Sequence, residues 1–124
     1  MKKILAMLIC SVMIFSLCGC DYAKDIKENL IKAGYTVDEM SESKVASLNA
    51  TVKYEYGGMG TIISGFYATD KNGNNVFVLE FTDKEDLTVA YKELKAQLTK
   101  GQSIDIKGKV IVYGIDEGVK ISLE

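Results

Sequence analysis

The spacing of apolar residues changes twice along the chain. From residue 21 to residue 34, apolar side chains recur every three or four positions, which predicts an amphipathic helix that ends at Gly34. A short extended piece at 35–37 and a polar loop at 38–44 come next. Apolar and polar residues then alternate, and this period of two predicts three strands, at 45–56, 61–69 and 76–81.

Turn residues divide the predicted strands, and a second helix follows them. Gly57–Gly60 predicts one turn, and Asn72-Gly73, a strong hairpin dipeptide, predicts the next. Thr82 and Glu85 have the spacing of a capping box, so we expect the second helix to begin there and to run to about residue 99. A hairpin with its turn at Lys107-Gly108 comes after this helix.

This order of elements predicts an α+β fold. We expect a single antiparallel sheet of about five strands with two helices packed on one face, in the order α-β-β-β-α-β-β. The tail at 116–124 fits either an edge strand or a short helix. The second face of such a sheet would be open to solvent or to a partner.

The first twenty residues form a separate unit. Lys2 and Lys3 precede an apolar run at 4–17, which suits the core of a signal peptide and is shorter than the roughly 20 residues of a transmembrane helix. The run closes on Leu17-Cys18-Gly19-Cys20. This sequence resembles the lipobox of bacterial lipoproteins, in which an aliphatic residue, a small residue and Gly or Ala precede the modified Cys.

The resemblance implies a leader and a lipid-anchored domain. Residues 1–19 would be the signal peptide, and Cys20 would carry fatty acids that hold residues 20–124 on the extracytoplasmic face of a cell membrane. Cys18 is an alternative acceptor, and an uncleaved anchor or simple secretion are further alternatives. All basic residues are lysine, and arginine, histidine, proline and tryptophan are absent. With the lipobox, this composition resembles that of small lipoproteins of unknown function from low-GC bacteria.

Charge and cysteine content narrow the classes of partner and cofactor. Removing the leader takes two of the 15 lysines, which leaves 13 against 17 acidic residues and a net charge of −4. An acidic domain argues against nucleic acid as the partner. The three cysteines all lie at or before residue 20, and the chain has no histidine to complete a metal site at Cys18 and Cys20. We expect no metal and no cofactor.

Two loops share part of a known ligand-binding pattern. Residues 70–74 begin like a calcium loop, but Asn75 and Phe81 stand where such a loop needs Gly and Glu. Gly57–Gly60 is glycine-rich like a phosphate loop, yet it leads into a predicted strand rather than a helix. We interpret both as turns.

Four aromatic residues are the candidate binding residues: Tyr54, Tyr56, Phe66 and Tyr67. They cluster across adjacent predicted strands, where they either fill the core or offer an outward surface to a glycan, a peptide or an apolar ligand. Strand alternation sends Phe66 and Tyr67 to opposite faces.

No group suited to catalysis has a recognisable partner in the sequence. Histidine is absent, no thiol follows Cys20, and Asp83, Glu85 and Asp86 are explained by a helix N-terminus. We therefore expect a non-enzymatic, membrane-tethered lipoprotein that binds an envelope protein or a peptide. The alternatives are a small acidic inhibitor or immunity-type lipoprotein and a ligand-binding sensor domain.

Replacing the lipid acceptor tests the leader directly. We expect Cys20→Ser to abolish incorporation of labelled palmitate, because the thioether can no longer form, whereas Cys18→Ser should leave labelling intact. Labelling that persists in Cys20→Ser would move the modification to Cys18 or contradict the lipobox assignment.

Overall fold

The computed structural model describes residues 22–124, and the predicted leader, the predicted lipobox and Cys20 lie outside the described residues. Nine elements follow one another: α1 (Tyr22–Lys32), β1 (Thr36–Glu39), α2 (Glu42–Tyr54), β2 (Ile62–Thr69), β3 (Asn75–Phe81), α3 (Lys84–Gln97), β4 (Gln102–Lys107), β5 (Val110–Ile115) and α4 (Asp116–Ser122). The strands form one antiparallel sheet in the order β1-β2-β3-β5-β4. The predicted α+β class and the single antiparallel five-stranded sheet are confirmed, whereas the predicted order α-β-β-β-α-β-β is wrong, since the described residues follow the order α-β-α-β-β-α-β-β-α.

Helices cover both faces of this sheet, whereas we expected two helices on one face. Alternate residues of the central strands point to opposite sides of the sheet, so each of these strands contributes side chains to two hydrophobic cores. On one side α1 and α4 pack on the sheet, in a core of Ile26, Leu30, Tyr35, Phe66, Ala68, Val76, Val78, Val110, Val112 and Val119. On the other side α2 and α3 pack on it, in a core of Val52, Ile62, Leu79, Phe81, Leu87, Ala90 and Ile111.

The segment that was predicted as a strand at 45–56 is mostly helix α2. Val45, Leu48 and Val52 stand three and four residues apart and all pack into the core beneath α2, which is a helical period. Ser41 caps the helix, since its side chain accepts the backbone N–H of Lys44. The alternation of apolar and polar residues at 52–56 led to the wrong prediction, because these residues span the C-terminal end of α2.

One smaller prediction, the start of the second predicted helix, is wrong, and the structure decides between the two forms that the sequence allowed for the tail. The N-cap of α3 is Asp83, whose carboxylate accepts the Glu85 N–H at 2.8 Å, and not Thr82, whose hydroxyl turns to the carbonyl of Thr61. The tail forms the short helix α4 rather than an edge strand. Gly118 permits this packing, since a Cβ there would stand 2.2 Å from a methyl group of Val76.

The two ends of the sheet are named here by their turns. The Gly108 end holds the turn between β4 and β5, the start of β2 and the end of β3, since the Phe81 N–H donates to the Lys109 carbonyl. The Asn72 end holds the turn between β2 and β3 and the start of β4. Helix α1 begins at the Gly108 end, where the Tyr22 ring lies against Gly108.

Asn49 on α2 joins the helix to the strand that it covers. Its side-chain oxygen accepts the Ile62 N–H at 2.7 Å, and its amide nitrogen donates to the Ile62 carbonyl at 2.9 Å. This pairing replaces a neighbouring strand at the point where β1 has already ended, because β1 pairs with β2 only as far as Phe66.

We expect Asn49→Ala to lower the free energy of unfolding by about 1–3 kcal/mol, because both backbone groups of Ile62 lose their partner. Ser47→Ala on the exposed side of the same helix is the matched control and should change little. Urea unfolding of both variants measures the difference, and equal stabilities would contradict a structural role for the Asn49 pair.

Candidate functional site

An open groove lies on the side of the sheet that carries α2 and α3, where neither helix covers the strands. We call it the aromatic groove. It has a volume of about 580 Å³ and is lined by Glu39, Met40, Ser41, Lys44, Leu48, Tyr67, Asn75, Phe77 and Tyr113. The end of β1 and the first turns of α2 form one wall, and the strands form the floor.

Three aromatic side chains from neighbouring strands form the floor. Strand register places Tyr67 of β2 opposite Phe77 of β3, and Phe77 opposite Tyr113 of β5. The centroids of the Tyr67 and Phe77 rings are 6.2 Å apart with planes at 41°, and those of Phe77 and Tyr113 are 5.2 Å apart at 23°. The rings therefore stand side by side and partly cover one another's faces, so a ligand meets ring edges and hydroxyl groups.

The charged groups at the rim of the groove differ in whether they have a partner. The Glu39 carboxylate forms an ion pair with Lys27 of α1. The Lys44 ammonium has no hydrogen-bond or ion-pair partner among residues 22–124. Asp38 stands opposite Tyr67 in β1 but does not line the groove. Lys44 is thus the uncompensated charge of the lining and is available to an acceptor group of a ligand.

The hydroxyl of Tyr113 stays neutral over the physiological range. Burial raises its pKa above the ordinary value of a tyrosine, and the nearby Tyr56 hydroxyl raises it further. Tyr113 therefore contributes a neutral donor and acceptor to the groove rather than a phenolate.

The structure separates the four aromatic residues singled out in the sequence. Tyr67 lies in the aromatic groove and is 38% exposed, whereas Phe66 is buried in the core beneath α1, so their opposite orientation is confirmed. Tyr54 is the last residue of α2 and is 76% exposed. Tyr56 follows that helix and accepts a long hydrogen bond from Gln97, at 3.5 Å. The groove therefore retains Tyr67 alone from this set.

Sequence reasoning missed Phe77, Tyr113 and Lys44. Phe77 had only a partial signal: it lies on the predicted third strand, but a two-residue turn at Asn72-Gly73 would align Tyr67 with Val78, and it is the three-residue loop 71–73 that brings Phe77 opposite Tyr67. Tyr113 had none, since β5 reaches its place beside β3 only after the chain has passed through α3 and β4. Lys44 was placed in a loop because α2 was not recognised.

The glycine-rich loop at 57–60 is anchored by the buried carboxylate of Asp86, which is 1% exposed. That carboxylate accepts the backbone N–H groups of Met59, Gly60 and Thr61 at 2.7, 2.9 and 2.8 Å, and the Thr61 hydroxyl at 2.7 Å. A Cβ at Gly58 would stand 2.6 Å from the same carboxylate. The loop amides are occupied by Asp86, so the loop serves as a structural turn.

The Asp86 carboxylate is stabilised in its charged form. Burial alone raises its pKa, but the hydrogen bonds from Met59, Thr61 and Gly60 together outweigh this effect, and the net pKa is lowered.

Residues 70–74 form a closed hairpin turn between β2 and β3. The Asp70 carboxylate accepts the N–H groups of Asn72 and Asn74, each at 2.9 Å, and the Asn74 side chain at 3.1 Å. These bonds, led by that from the Asn74 backbone, lower the pKa of Asp70. Within residues 22–124, no three acidic, histidine or cysteine side chains lie close enough together to hold a metal ion.

No protein-family model, curated protein or solved structure matches the chain. Among the described helices, none has the length and apolar character needed to cross a bilayer.

We expect Asp86→Asn to lower the free energy of unfolding at pH 7 by about 2–3 kcal/mol, because hydrogen bonds to a charged group are lost or weakened. The folded pKa is depressed, so this stabilisation is complete above the unfolded pKa of about 3.9 and is lost as the pH falls through the folded value. The difference in the free energy of unfolding between wild type and Asp86→Asn should shrink as the solution is acidified.

Glu85→Gln is the matched control, since Glu85 is exposed in the same helical turn. Its charge contributes less than about 1 kcal/mol to the free energy of unfolding there. Chemical denaturation at a series of pH values measures both variants. A gap for Asp86→Asn that is independent of pH would show that its charge does not hold the loop.

Proposed function

We propose that this protein is a non-enzymatic lipoprotein, anchored by lipid on Cys20 at the extracytoplasmic face of a cell membrane, that binds an envelope protein or a peptide in the aromatic groove. The open aromatic floor of Tyr67, Phe77 and Tyr113 is the observation that carries the binding role. The leader sequence supports the anchored location.

The aromatic groove differs from the rest of the sheet in its solvation. Over most of the central strands both faces are buried by helices; the exceptions are Ile63 near the start of β2 and the Tyr67 ring in the groove, which stay partly open to water. Tyrosine and phenylalanine supply large contact area at low conformational cost, and contiguous apolar surface on a small domain commonly marks an interaction site. Covering the groove with apolar side chains would remove this surface from water.

The arrangement of the rings favours a peptide over a flat ligand. Phe77 is flanked by Tyr67 and Tyr113, so neither of its faces is free for a planar ring to stack upon. Methyl and methylene groups of peptide side chains can pack against the exposed ring edges, with backbone carbonyl groups available to the tyrosine hydroxyls and to Lys44. Met40 and Leu48 extend the apolar contact along the wall.

The polar groups of the lining support binding rather than bond-breaking chemistry. The Ser41 hydroxyl accepts the Lys44 N–H and caps α2, and the Asn75 side chain accepts the Thr69 hydroxyl at 2.8 Å. Neither of these groups is paired with a base that would activate it. The proposal therefore assigns recognition to the groove.

In-cell crosslinking tests this function, and Tyr67 provides the decisive variant. Partners that are crosslinked to the anchored wild-type protein are identified, and their affinity for wild type and Tyr67→Ser is then measured by titration. We expect Tyr67→Ser to weaken binding by roughly 30-fold, which corresponds to about 2 kcal/mol for an aromatic residue at the centre of an interface.

Tyr54→Ser is the matched control, because Tyr54 is more exposed than Tyr67 and lies outside the groove. It should retain full affinity. A partner that binds wild type and Tyr67→Ser equally well would contradict the groove as the binding site. If a small molecule binds in the groove and no protein does, a ligand-binding sensor role would be favoured. The groove volume of about 580 Å³ is adequate for such a ligand.

A further inference from the structure

The start of the described domain packs closely against the Gly108 end of the sheet. The Tyr22 ring packs against the core beneath α1, and the Lys107 ammonium lies 5.4 Å from its centroid. Gly108 approaches the same ring so closely that a Cβ there would stand 2.6 Å from it. The start of helix α1 is therefore packed directly against the turn between β4 and β5.

This inference rests on the proposed lipid anchor at Cys20. Asp21 alone separates Cys20 from Tyr22, and even a fully extended chain covers only about 7 Å over two residues. The lipid must then enter the bilayer within that distance of the Gly108 end. We propose that the Gly108 end of the domain rests against the bilayer surface and that the aromatic groove is held away from it.

The Gly108 end carries an apolar side chain suited to such contact. Met59 is 70% exposed, although the loop that carries it is fixed by Asp86. Thr61 follows in the same loop, and its carbonyl accepts the Thr82 N–H just beyond the end of β3, which places the loop at this end. A flexible thioether on a rigid loop can enter the boundary between headgroups and acyl chains at little cost.

Charge does not dominate this contact. The positive charges of Lys107 and Lys109 favour contact with anionic lipids. Asp25 and Glu124 line the same shallow cavity as Lys107, and their negative charges oppose that contact. The short tether and Met59 therefore set the orientation, which should hold on vesicles of neutral lipid.

This orientation raises the groove above the membrane. Tyr67 lies five residues beyond Ile62 along β2, which corresponds to a rise of about 17 Å from the Gly108 end. At that height a protein or peptide of the envelope reaches the groove without entering the headgroup layer.

Single-cysteine probes test the orientation, since no cysteine follows Cys20 in the chain. The lipidated protein carrying Lys109→Cys or Asn72→Cys is labelled with a fluorophore and placed in phosphatidylcholine vesicles that contain nitroxide-headgroup lipid. The two exposed turns lie at opposite ends of the sheet, and the eight residues of β2 correspond to a distance of about 26 Å between those ends along the strand direction. We expect several-fold stronger quenching of the probe at 109 than of the probe at 72.

A flexible Gly/Ser linker inserted between Asp21 and Tyr22 provides the matched control. It should keep the protein on the vesicles but bring the two probes to similar quenching. Equal quenching in the protein without the linker, with lipidation confirmed by mass spectrometry, would overturn the orientation alone. A protein without lipid on Cys20 would overturn both the anchored function and the orientation that depends on it.

Discussion

The central strands of the sheet are buried on both faces, and this constraint organises the rest of the molecule. Val76 and Val78 of β3 face α1 and α4, while Leu79 and Phe81 face α2 and α3. A strand with two buried faces needs helices on both sides, because each face left bare would expose a row of apolar side chains to water. Among the described residues, α1 and α4 cover one face and α2 and α3 the other.

The aromatic groove follows from the same constraint, since the helices do not cover the sheet completely. Helix α2 is tied to the start of β2 through Asn49, and α3 begins beside the loop that Asp86 anchors. Both attachments lie toward the Gly108 end. The row of Tyr67, Phe77 and Tyr113 lies nearer the Asn72 end and keeps an open surface. The candidate site is thus the part of the sheet face toward α2 and α3 that neither helix covers.

Two aspartates show how the same kind of hydrogen bonding can be local at one position and long-range at another. Asp70 and Asp86 both bind backbone N–H groups, and both have a lowered pKa. Asp70 closes its own turn within four residues, so its role is readable from the local sequence. Asp86 binds a loop that is 25 residues or more away, and only the packing of α3 against that loop brings the groups together.

The amino-acid sequence is enough to predict the α+β class, α1, the strands β2 and β3 with the turn between them, α3 and the last hairpin, because these depend on period, turn residues and local hydrogen bonds. It also predicts the lipid anchor, which lies outside the described residues. Tertiary structure decided that residues 42–54 are a helix, that helices cover both faces, and that Tyr113 stands beside Phe77. The physical reason is that local patterns specify which side of an element is apolar, whereas the neighbour that covers that side is selected by long-range packing.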